Sequence, residues 1–98
     1  MTYSITEHDE KIVVTLEGAV ELQSIRDLKE SLDDLAARTR KDIEIDLSRV
    51  TYIDSTGISM MIMLHKVQKQ KNLTFRMKNA TTNVAGLLEL SSLKDVLH

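Results

Sequence analysis

The stretch RVTYIDSTGISMMIML, residues 49–64, sets an extended-looking run directly against a helical one. Val50, Tyr52 and Ile53 favour extended chain, because β-branched and aromatic side chains suit a pleated surface. From about Thr56 the apolar residues change period. Met60, Met61 and Leu64, with Ile58 beside them, gather on one side of a helix, and Ser59, Met63, Lys66 and Gln70 fall on the other. A strand that passes straight into a helix is the repeating step of an α/β fold. The junction, Asp54-Ser55-Thr56-Gly57, brings together an acid, two hydroxyls and a glycine.

Working outward, the same alternation of elements continues. YSITE (3–7) and KIVVTLEG (11–18) are rich in β-branched residues and flank the polar turn HDE, which predicts an antiparallel hairpin ending at Gly18. ELQSIRDLKESLDDLAAR (21–38) spaces Leu22, Ile25, Leu28, Leu32 and Leu35 by three and four, the stripe of an amphipathic helix. KDIEIDL (41–47) and LTFRMK (73–78) alternate as strands with one wet face. A helix over 56–71 separates them, and TTNVAGLLEL (81–90) predicts a short helix opened by capping hydroxyls. LKDVLH predicts a last strand or a frayed tail. The order ββαβαβα(β) predicts one α/β domain over residues 1–98, a mixed sheet of four to five strands with helices packed on it.

Composition narrows the function. The formal net charge of −2 argues against a protein built to grip nucleic acid, and 42% hydrophobic residues suffice for one core. With no cysteine, thiolate chemistry is excluded, and His8, His65 and His98 show no metal-ligand spacing. No apolar run reaches the roughly 18 residues of a membrane span, and the N-terminus lacks a signal-peptide pattern. The expectation is a cytoplasmic protein without cofactor, metal or membrane attachment.

Three readings of the tetrad are open on chemistry alone. Asp54, Ser55 or Thr56 can cap the helix by accepting bonds from its unpaired first amides. Ser55 can be a nucleophile, but this needs a histidine within reach, and His65 lies roughly 15 Å further along the helix at about 1.5 Å per residue. Ser55 can also be an acceptor of phosphate, presented outward at a strand-to-helix turn and tolerated there by the positive helix end. Met63, apolar on a polar stripe about two turns from Ser55, marks an adaptable contact surface.

LSRVTYIDSTGISMMIML, preceded by DIEID and followed by LTFRM, resembles the STAS family, in particular its single-domain bacterial anti-sigma factor antagonists. The similarity runs from VVTLEGAVEL to ELSSLKDVL. It implies partner switching. In such systems the unmodified antagonist is bound by an anti-sigma factor that is also a serine kinase of the histidine-kinase-like ATPase fold. Phosphorylation of the motif serine ends binding, and a PP2C-type phosphatase restores it.

Carried onto this chain, Ser55 is the phosphorylated residue and Thr56 a secondary acceptor. Glu21, Asp54, Ser55, Thr56, Gly57, Ser59 and Met63 form the partner-binding surface. Gly18-Ala19-Val20-Glu21 stands where the family tends to carry Gly-x-Leu-Asp, so Glu21 keeps the charge with one methylene more. The chain is expected to be a monomer and not an enzyme. The alternative is an unphosphorylated STAS subunit of a larger assembly, such as a lipid-transport ABC complex.

Overall fold

Alternating apolar residues set the sheet. The computed structural model describes residues 1–98. Strands β1 (Thr2–Glu7) and β2 (Lys11–Val20) form an antiparallel hairpin. β3 (Asp42–Ile53) and β4 (Phe75–Lys78) join in parallel, giving one mixed sheet in the order β1-β2-β3-β4. Parallel neighbours need crossover connections, supplied here by α1 (Arg26–Arg38) and α2 (Ser55–Gln70). A short helix α3 (Thr82–Glu89) and a 3-10 turn over Ser92–Val96 complete the chain.

One face of the sheet carries Ile12, Val14 and Leu16 of β2, Ile43, Ile45 and Leu47 of β3, and Phe75 and Met77 of β4, all buried. Leu28, Leu32 and Leu35 of α1 and Met60, Met61 and Leu64 of α2 close over them, with Val84 and Leu88 of α3 in the same cluster. The opposite face is polar. There Glu44 lies 3.4 Å from Lys11 and 3.0 Å from Lys78. Partial burial alone would raise its pKa, but the hydrogen bonds and charges of Lys78 and Lys11 hold it below the ordinary carboxylate value.

Two expectations are corrected. By spacing, Leu22 belongs on the buried stripe of a helix starting at Glu21, yet α1 begins at Arg26 and Leu22 is 69% exposed. The cause is that β2 runs on to Val20, through Gly18 at φ +97° and irregular pairing with β3. Residues 21–24 then fold as a turn closed by the Ser24 N–H on the Glu21 carbonyl, and Ile25 becomes the first buried residue of the helix stripe. At the other end, LKDVLH forms neither a full strand nor a loose tail. Leu93 and Val96 are buried in the 3-10 turn, and the last strand shrinks to one parallel bridge between Met77 and Leu97.

Candidate functional site: the strand-to-helix junction

Asp54 leaves β3 in an extended conformation and caps α2. Its Oδ1 accepts from the Gly57 N–H at 2.9 Å, and its Oδ2 accepts from the Leu22 N–H at 3.1 Å. Its own N–H donates to the Val20 carbonyl at 3.2 Å. One residue therefore ties the first turn of α2 to the end of β2 and to the turn that follows it. The Gly57 N–H is the largest influence on the carboxyl; together with the Leu22 N–H it outweighs burial and holds the pKa below its ordinary value.

Gly57 is buried, and its role is close approach. A Cβ there would stand 2.8 Å from the Val20 carbonyl oxygen and 2.8 Å from Ile53 Cγ1. Only a residue without a side chain lets α2 start against the ends of β2 and β3. Gly57 was expected among the contact residues; buried as it is, it shapes the surface from beneath and offers no side chain to a partner.

The other expected residues share one end of the molecule. Ser55 is exposed at the first position of α2, and Thr56 is half-buried beside it. Glu21 is half-buried in the turn that Leu22 anchors to Asp54. Along α2, Ser59 is exposed and Met63 is 56% exposed, as the helical stripe predicted. Thr56, Ser59, Met60 and Met63 form one wall of a groove of about 400 Å³, and Ile25 and Lys29 of α1 form the other. Leu22, whose exposure periodicity concealed, belongs to the same end through its bond to Asp54.

A nucleophilic role for Ser55 finds no base. His8 lies in the β1–β2 turn, roughly 30 Å away along β2 at about 3.3 Å per residue. His98 is bonded to Met77 and Asn79 at the end of β4, whose Lys78 pairs with Asp46, roughly 26 Å from the junction along β3 at about 3.3 Å per residue. His65 packs tilted against the Phe75 ring, their centroids 5.9 Å apart, well down α2. No three His, Cys, Asp or Glu side chains come together as metal ligands. What the junction offers is an exposed hydroxyl on a rigid turn beside an apolar groove.

Residues 3–98 match the family model described as "Mlab, STAS domain". The chain belongs to the STAS family. Among curated relatives, this STAS domain is 26% identical over 93 residues to the anti-sigma-B factor antagonist of Staphylococcus aureus, covering 95% of this chain and 86% of that protein. Among solved structures, it resembles the anti-sigma factor antagonist SpoIIAA in its unphosphorylated form, with a TM-score of 0.88 at 13% identity over 99% of this chain and 86% of the other. The phosphorylated form of SpoIIAA, a Bacillus cell fate determinant, gives a TM-score of 0.82 at 12% identity, covering 99% of this chain and 89% of that one. These structural likenesses establish the STAS fold.

Proposed function

We propose that this STAS domain is an anti-sigma factor antagonist whose binding surface is switched by phosphorylation of Ser55. The observation that carries the reading is the exposed Ser55 hydroxyl on the rigid Asp54–Gly57 turn, next to the groove that ends in Met63. The output is binding, not catalysis. Relatives named as anti-sigma factor antagonists, one of them with a fold described in both phosphorylated and unphosphorylated forms, support it.

In the unmodified state, Glu21, Ser55, Thr56, Ser59 and Met63 meet an anti-sigma factor that is also a serine kinase of the histidine-kinase-like ATPase fold. The kinase transfers phosphate to Ser55, with Thr56 as a secondary acceptor, and a PP2C-type phosphatase removes it. No helix here is long and apolar enough to cross a membrane.

A phosphate adds about −1.5 to −2 charges. The first-turn amide of Gly57 is already bonded to Asp54, so the new anion stands beside an existing carboxylate and only partly shares the positive helix end. A 100-fold loss of affinity needs roughly 2.8 kcal/mol, within what a desolvated, unpaired charge supplies at an interface.

A second reading has an observation of its own: the matching family model bears the description Mlab rather than that of an antagonist. On that reading the domain is an unphosphorylated subunit of a larger assembly, such as a lipid-transport complex, and Ser55 is only the first residue of a capped helix. Paired capture from native extracts with Ser55→Ala and Ser55→Asp baits separates the two, once circular dichroism shows both folded. An ATPase-type kinase held by the alanine bait and lost by the aspartate bait supports the switch. The same transport subunits held equally by both would sink it.

A further inference from the structure

The two edges of the sheet are finished differently. β4 has four residues, carries Arg76 and Lys78, and is shielded by the end of the chain. There the His98 N–H donates to the Met77 carbonyl, the Asn79 N–H donates to the His98 carbonyl, and Leu97 bridges Met77. β1 has six residues, pairs with β2 without a bulge, and holds no lysine, arginine or proline. Protein edges are commonly blunted by charge, proline, bulges or a covering segment. From Thr2 to Thr6, β1 has none of these.

We propose that β1 is the contact strand of a homodimer, pairing antiparallel with β1 of a second copy about a two-fold axis at Ser4. Alternation of faces limits such pairing to registers centred on a single residue, and centring on Ser4 pairs Thr2 through Thr6 while leaving the charged Glu7 outside. Tyr3 and Ile5 lie on the helix side: the Tyr3 hydroxyl is 2.8 Å from Ser31 Oγ of α1, and Ile5 lines a cleft with Ile12 and Leu35. Thr2, Ser4 and Thr6 lie on the polar face. Residues opposite one another in a sheet share a face. Centring on Ser4 sets Tyr3 against Ile5 of the second copy, Thr2 against Thr6, and Ser4 against itself.

Backbone polarity agrees. The His8 N–H donates to the Lys11 carbonyl, so the even positions of the hairpin turn their amides toward β2. Alternation then aims the N–H and C=O groups of Tyr3 and Ile5 outward. Those two residues form the hydrogen-bonded pair of the proposed register, and Ile5, 39% exposed in the single chain, gains an aromatic neighbour.

Charge selects a second copy over an unrelated strand. The flank of α1 beside β1 carries Asp27, Ser31, Asp34 and Arg38 at helical spacing, with Ser31 held by Tyr3 and Asp34 and Arg38 lining the Ile5 cleft. The axis runs α1 antiparallel to its copy, which brings Asp27 level with the other chain's Arg38, a guanidinium that Asp34 of its own helix already holds at 2.9 Å, and sets Ser31 level with Asp34. The monomer expected from sequence becomes the dissociated state of a weak dimer. Such an interface is smaller than the roughly 1,600 Å² of a standard complex, so association belongs in the micromolar range or above.

The inference rests on the β1 edge and the flank of α1 beside it, and not on the role of Ser55. Thr2 pairs with Glu17 near the end of β2 that adjoins the junction. Antiparallel pairing therefore sends the two Ser55 surfaces to opposite ends, leaving both open: a bivalent molecule.

Sedimentation velocity on the full chain, from about 10 μM upward, tests it. Wild type is expected to show reversible dimers. Ser4→Lys and Ser4→Glu, each placing like charges directly opposite across the axis, weaken them about fivefold or more, and an equimolar mixture of the two restores pairing. The chain has no cysteine, so Ser4→Cys supplies one thiol per chain. Ser4 is a non-hydrogen-bonded pair with Cα atoms about 4.5 Å apart, inside disulfide range. Air oxidation should link Ser4→Cys and spare an exposed control, Glu89→Cys. A single monomeric species at every concentration, dimers indifferent to Ser4→Lys, or equal cross-linking of both cysteine variants would each overturn the proposal.

Discussion

At the scale of single residues, Asp54 shows how one side chain can hold a surface it need not itself contact. Its two carboxylate oxygens each accept one backbone amide, from Gly57 and from Leu22. Ser55 is consequently presented on a turn with little freedom. Asp54→Ala removes the cap and is expected to lower stability by about 1 kcal/mol, while loosening the Glu21–Ser24 turn; denaturant unfolding and hydrogen exchange at the Leu22 amide measure the two effects. The pH dependence follows from the depressed pKa. The unfolded chain binds the proton more readily, so the stabilisation is complete above the ordinary value of 3.8 and is lost as pH falls through the folded value. Asp54→Asn should flatten that acid limb in part, since Glu44 and Asp46 are also held low. An acid-unfolding curve unchanged by the substitution would show that the two amide bonds contribute nothing.

At the scale of elements, what was legible in sequence was whatever a regular period dictates. Met60, Met61 and Leu64 are buried and Met63 is exposed because a 3.6-residue repeat leaves no other arrangement once Ser59, Lys66 and Gln70 face water. Leu22 was lost for the same reason: it fits the α1 stripe by spacing, and only the long β2 strand, with positive φ at Gly18, denies it a place in the helix. Gln68 was equally hidden. It is fully buried, its Nε2 donating to the carbonyls of Lys41 and Thr74, a contact set by tertiary packing that no local pattern announces. The tetrad lay between these cases. Its capping chemistry was readable, but the close approach that requires Gly57 depends on Val20, distant in sequence. Gly57→Ala must push α2 from the sheet and is expected to cost about 1–3 kcal/mol, as overpacking does, read as a fall in thermal midpoint. Met63→Lys should behave in the opposite way, leaving the midpoint nearly unchanged and weakening partner capture. A large fall in midpoint there would mean that the α1–α2 groove is part of the core and not a surface.

At the scale of the whole molecule, the junction and the β1 edge are separate devices on one rigid sheet. Ser55 caps no core contact: it is exposed, and the bonds that fix the turn run to Asp54. A charge at position 55 should therefore alter what the surface binds without altering the fold or the pairing of copies. Ser55→Asp and Ser55→Ala are expected to unfold at urea midpoints within about 0.5 kcal/mol of one another, the range of surface substitutions, and to sediment with equal dimer constants. Their affinities for a captured kinase should differ by about 100-fold, roughly 2.8 kcal/mol. Isothermal titration with the purified partner, beside sedimentation of the same samples, makes the comparison. Coupled changes, in which Ser55→Asp also dissociates the dimer, would mean that the charge is felt across β2 to the far edge. Direct repulsion is largely screened beyond about 10 Å at 0.1 M salt, so an effect that persists as salt is raised would point to a second arrangement of the sheet.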